Sequence, residues 1–478
     1  MSMLINTISA IGNNNSFAPL LVRDCGIEAP TKVAQTYNQN AKESAIMAKH
    51  ATRERIIDEY GSSAIWLGGV PAVEMICNRL IDKKGLSSKV NFKLLDENKN
   101  AMSDIDRAQQ SADINIEKFA DNKSLDVIEA VEDLKKAKAN RNLFRKMTVA
   151  KYTAAIAIPV ALMGFVLPKS NFALTNYLFD RDVKKGLIPE RYLADKEKYN
   201  KNMGAKLDVV TSDKDAAINY NNLYNGDKDN KFNSLDSMRG LKKDNKPSFK
   251  GFASFMTGLT QQQKMAMTDG GLGLGRVGTS RRKNEAIENG VRVAGMMYLN
   301  FVAPKQIDKA LDKGITKTFG INPALDPKIM ANKRFLALVR SDKLELPKSQ
   351  EEVIEFLDKN PKSLFSKIAA QQGKVSFLKS GVRDPRCYVD TEKVFKLAEQ
   401  MRTFKDNART VNGVQLAEGE KAATKTVVNY AKKALGAKSA SILTNIAISS
   451  SLLAVALPQT QFALRKLLFK SDVDPGLA

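Results

Sequence analysis

Two runs of the chain are almost free of charge. Residues 148–167 carry only Lys151, and residues 439–464 carry no charged side chain. A helix needs about 20 mostly apolar residues to cross bilayer hydrocarbon, so both runs predict spanning or deeply buried helices. The apolar runs at 64–81 and 284–303 contain Glu74, Arg79 and Arg292. Those charges make unaided spanning expensive, which suits interfacial, re-entrant or covering helices. Residues 123–147 place Leu125, Val127, Ile128, Val131 and Leu134 mostly at three- and four-residue steps, the spacing of an amphipathic helix. Residues 1–40 are polar and broken by Gly and Pro, which predicts a loose extension with at most one short helix. Short helices are expected over 320–385 and near 253–267, 390–404 and 420–435. Alternating strand patterns are scarce, so the expected fold is all-α.

The two apolar runs also match each other. Aligned without a gap, 151–180 and 441–470 share 11 identities in 30 positions, among them Pro168/Pro458, Phe172/Phe462 and Phe179/Phe469. Both contain LPxxxFALxxxLF. Self-similarity of this kind predicts a repeated unit. A weaker match sets Arg53, Glu59 and Gly61 against Arg282, Glu288 and Gly290, each before an apolar run with a proline, Pro71 or Pro304. The expected architecture is two related helical halves with proline-terminated apolar helices, associated with a membrane. Its parts are an extension (1–52), half A (53–180, apolar segment 148–167), an Asn/Lys-rich connector (181–250), half B (251–470, apolar segment 439–457) and a tail (471–478).

Each apolar segment carries a row of small residues: Ala154, Ala157, Ala161 and Gly164 in one, Thr444, Ala447, Ser451 and Ala454 in the other. Such rows let helix backbones approach closely in lipid, so these two faces are expected to meet. Basic residues flank both segments. Arg145, Lys146, Lys169, Arg465 and Lys466 are candidates for contact with anionic lipid head groups.

Composition narrows the chemistry. The 75 Lys+Arg against 52 Asp+Glu leave a net charge of +23, which favours an anionic partner. One histidine and three scattered cysteines exclude His-based metal motifs, CxxC motifs and a disulfide framework, and fit a reducing, cytoplasmic compartment for the soluble parts. The first residues lack a basic start and a long apolar core, so no signal peptide is expected. Gly273, Gly275 and Gly278 form GxGxxG, but neither a preceding strand nor a βαβ pattern accompanies it. With Arg276 and Arg281 alongside, the stretch is a candidate phosphate loop; a hinge is the plainer reading.

No catalytic constellation is legible, and no enzyme activity, cofactor or metal is expected. The first functional reading is a membrane-associated structural or scaffold protein that contacts anionic lipid, with further copies of itself or other proteins as partners. A soluble basic protein binding nucleic acid or an acidic partner is the alternative, disfavoured by the lack of aromatics among the basic patches. A third reading is a small transporter built from parallel repeats. It requires the acids and arginines of the weaker apolar runs to line a path.

Overall fold

The computed structural model describes residues 2–12, 17–42, 44–95, 102–188, 259, 261–280, 283–321, 323–411 and 413–470. Eight helices organise the chain. They are α1 (Ser2–Gly12), α2 (Ala29–Ala41), α3 (Ala45–Lys83), α4 (Arg141–Lys184), α5 (Gln261–Gly278), α6 (Lys283–Phe301), α7 (Ala303–Phe319) and α8 (Thr424–Leu468). Short helices fill 104–139 and 327–408, and a two-residue antiparallel ladder joins Thr410–Val411 to Val414–Gln415. The fold is all-α. Nearly all of the Asn/Lys-rich connector, together with the 471–478 tail, lies outside the described residues.

Among the described residues, α3, α4 and α8 are three helices long and apolar enough to cross a membrane. The 44 residues of α4 span about 66 Å at 1.5 Å per residue. That is about twice the ~30 Å of bilayer hydrocarbon, more than one crossing requires.

The prolines do not end these helices, contrary to the sequence expectation. Each sits two positions past a π-helical turn: Ile65–Gly69 before Pro71, Leu162–Val166 before Pro168, and Leu452–Ala456 before Pro458. Proline lacks an N–H, and its ring crowds the carbonyl four residues back. The wider π turn accommodates that carbonyl, so the helix continues. At Pro304 the chain takes the other course. Val302, at φ −110°, interrupts the helix, and α6 and α7 are separate.

The long helices form two antiparallel pairs. The end of α3 packs on the start of α4, and the start of α3 on the end of α4. In the same way α7 packs on the start of α8, and α6 on its end. Both pairs are anchored at one end in a water-soluble-type layer made by the short helices. There Ile81 and Phe144 join a core with Phe92 and Leu134, while Val427, Ala431 and Ala434 join one with Phe335, Phe365 and Phe404. Buried Arg383 donates to Asn115 Oδ1 at 3.2 Å and Arg386 pairs with Asp133 at 2.8 Å, tying the two sets of short helices together. So α3 and α6–α7 run toward this layer, and α4 and α8 run away from it. The two pairs therefore point the same way.

Burial along α4 and α8 keeps a constant spacing. Ala155, Pro159, Met163, Gly164, Pro168, Asn171 and Thr175 are buried, as are Asn445, Ser449, Leu453, Ala454, Pro458, Gln461 and Arg465. Each pair differs by the same 290 positions (445 − 155, 465 − 175). Their outer faces carry exposed Ile158, Leu162, Phe165 and Val166, and exposed Leu443, Ile448 and Val455. Polar groups inside and large apolar groups outside is the reverse of a water-soluble helix.

Candidate functional site

The inward faces carry charge. From α3 come Asp58 and Glu59, from α5 Asp269 and Arg276, and from α6 Glu288 and Arg292. The π-helical turn Leu21–Glu28, which leads into α2, adds Asp24 and Glu28, and Trp66 and Met163 close the wall. These side chains surround two adjoining recesses with open spaces of about 480 and 600 Å³. One reaches the π turns at Trp66 and Met163. The other extends along Glu54, Phe172 and Gln461, away from the short-helix layer.

Most of these charges are paired, and several pairs join separate helices. Arg292 of α6 meets Glu59 of α3. Arg276 of α5 lies 3.6 Å from the Asp58 carboxylate and donates to Ser62 Oγ at 2.8 Å. Arg465 of α8 grips Glu288 of α6, its Nε donating to Oε2 at 3.1 Å. Glu28 pairs with Lys32 one turn further on. Isolated charge is very costly in a low-dielectric interior, and pairing offsets much of that cost. Side-chain amides complete the lining. Asn171 Nδ2 donates to the Glu54 carbonyl at 2.9 Å and Gln461 Nε2 to the Glu288 carbonyl at 3.5 Å; each amide lies three residues past its helix's proline.

Several sequence-level candidates are placed elsewhere. Ala157, Ala161, Thr444, Ala447 and Ser451 are exposed, Ala154 is half-buried, and Gly164 and Ala454 are buried. The chief neighbours of α4 are α3 and α5, and that of α8 is α7, so the two small-residue faces do not form the expected joint. Gly164 does serve close approach, but to α5: a Cβ built on Gly275 would lie 2.6 Å from the Gly164 Cα. That contact also corrects the phosphate-loop candidate. Gly273, Gly275 and Gly278 lie within a helix, with Gly273 against Val293 of α6. Arg276 is buried within the bundle and pairs with Asp58 rather than standing on a loop. Arg281 lies outside the described residues.

Among the lipid-contact candidates, Lys146, Lys169 and Lys466 are exposed and Arg145 is half-buried. Arg465 is not available to lipid, being 1% exposed on Glu288.

The segment read as a loose extension is instead helical and part of the site. In α2 the buried positions include Lys32, Thr36, Gln39 and Asn40, a polar stripe at three- and four-residue steps facing the other charges. A period of 3.6 in polar rather than apolar residues was the signal present there.

Among the described residues, no group of three or more His, Cys, Asp or Glu side chains is placed to hold a metal ion. The chain matches no protein-family model, no curated protein and no solved structure.

Proposed function

We infer that the chain is an integral membrane protein, non-enzymatic, whose two related helical halves enclose a charged solute-binding site, and that it carries a small charged solute across the membrane. The observation that supports this most is the set of ion pairs inside the apolar-faced bundle, above all Arg292 with Glu59 and Arg276 with Asp58, which link α3 to α5 and α6. Ionisable groups among membrane helices are costly and mark pathways or binding sites by default. Discontinuous helices, repeats and a site between the repeats are the ordinary parts of a secondary transporter. Here the repeat would be parallel, since both helix pairs point the same way. Exposed Lys146, Lys169 and Lys466 beside the apolar spans suit contact with anionic lipid. A scaffold role rests on the same apolar spans but leaves the buried charges without a use.

The test is access to the site. In a protein with Cys25, Cys77 and Cys387 replaced by alanine, Ser63→Cys places one thiol in the wall of the recess. In oriented vesicles a membrane-impermeant thiol reagent should label it from one side, and addition of the transported solute should change the rate. Lack of labelling from either side would contradict the transport reading.

A further inference from the structure

The recess walled by Trp66 presents two kinds of unsatisfied group. Trp66 is 7% exposed, Arg276 8% and Arg292 4%. The Trp66 Nε1–H and the Nε–H groups of Arg276 and Arg292 have no hydrogen-bond partner within the protein. All three side chains line the same recess. Buried donors without partners are rare in folded proteins and call for an explanation. Three donors near one another, two of them on guanidinium groups, fit a carboxylate.

The same wall holds the opposite chemistry. Asn300 Oδ1 is a buried acceptor without a partner. Among the described residues, Asp269 has no ion pair or hydrogen bond, and it lies within electrostatic reach of Asp24 and Glu28. Asp24 already faces Arg23 at 3.5 Å and Glu28 pairs with Lys32, which leaves Asp269 as the wall carboxylate without a direct pair, open to a cation. Asp269 and Asn300 therefore favour a cation, while the unmatched donors favour an anion. A ligand with one charge satisfies only one set. Leu272, Met163 and Met296 supply the remaining, apolar wall.

We propose that this recess binds a zwitterionic amino acid with an apolar side chain. Its ammonium sits toward Asp269 and Asn300, its carboxylate toward Trp66 and the two arginines, and its side chain against the Met and Leu wall. This rests on the transport reading for its purpose but not for its test.

Trp66 is the sole tryptophan of the chain, so its fluorescence reports this recess alone. Purified full-length protein in detergent is titrated with L-leucine, 3-methylbutylamine (the ammonium without the carboxylate) and 4-methylpentanoate (the carboxylate without the ammonium). L-leucine should shift or quench the emission saturably. Half-saturation should come at a concentration at least tenfold lower than for either analogue. Asp269→Asn should raise the half-saturating L-leucine concentration at least tenfold while leaving the unliganded emission maximum in place. Equal response to one analogue alone would reassign the recess to a simple cation or anion. No response to any of the three would overturn the proposal. A leucine response in a protein whose Ser63→Cys variant is labelled from neither side would keep the binding site and remove the transport role.

Discussion

Arg292 shows what single residues do in this bundle. It is 4% exposed, and its guanidinium serves Glu59 and Asp58 together. Removing it leaves Glu59 with Arg55 at 3.3 Å and Asp58 with Arg276 at 3.6 Å, so each carboxylate in the low-dielectric interior loses one of its cations. A buried charge left wholly unpaired costs about 3–5 kcal/mol; with one cation still at each carboxylate, Arg292→Ala is expected to lose about 1–3 kcal/mol in detergent unfolding. Arg292→Met combined with Glu59→Gln should recover a large part, because the under-compensated carboxylate goes too. No recovery would place the value of Arg292 in its shape rather than its charge. Cys387, in the short-helix layer, makes a separate point. Burial, with the Asp384 carboxylate beside it, pushes its thiol up to about 11. At pH 8 only about one molecule in a thousand then carries the reactive thiolate. In a Cys25→Ala, Cys77→Ala background, maleimide labelling should be at least tenfold slower in the native than in the denatured protein. Equal rates would contradict it.

At the scale of helices, α5 is the element that joins α4 to α6. A Cβ at Gly271 would stand 3.4 Å from the Val160 Cβ, close to the separation a disulfide requires. Val160→Cys with Gly271→Cys should therefore crosslink on oxidation. Cysteines at Ala157 and Ala447, both exposed on helices that are not chief neighbours, should not. The reverse pattern would restore the joint expected from the small-residue faces. Gly275→Leu should force α5 from α4 and destabilise by about 1–3 kcal/mol or more, read as a lowered thermal midpoint. These elements also show what the chain made legible. The apolar segments, the matched prolines and the all-α character follow from composition and period. The continuous helices past Pro71, Pro168 and Pro458 did not, because a proline in sequence reads as a stop unless the π turn before it is known. The site was missed for a different reason. In a bundle with apolar exteriors the amphipathic logic is inverted, so Arg292 read as an obstacle to spanning, and the polar stripe of α2 as a loop.

For the whole molecule, two arrangements have to be reconciled. The short-helix layer has a conventional core, with Phe335, Phe365 and Phe404 almost fully buried. The long helices show the opposite, with paired charges inside and exposed Phe165, Val166, Leu443 and Val455 outside. A lipid environment satisfies both, since it removes the cost of the apolar exterior and leaves the charges a shared interior. Membranes bearing the full-length chain, washed in alkaline carbonate, test this most directly. The chain should stay with the membrane pellet after the wash. Its release into the supernatant would contradict the account, because three apolar helices crossing a bilayer cannot be stripped by high pH.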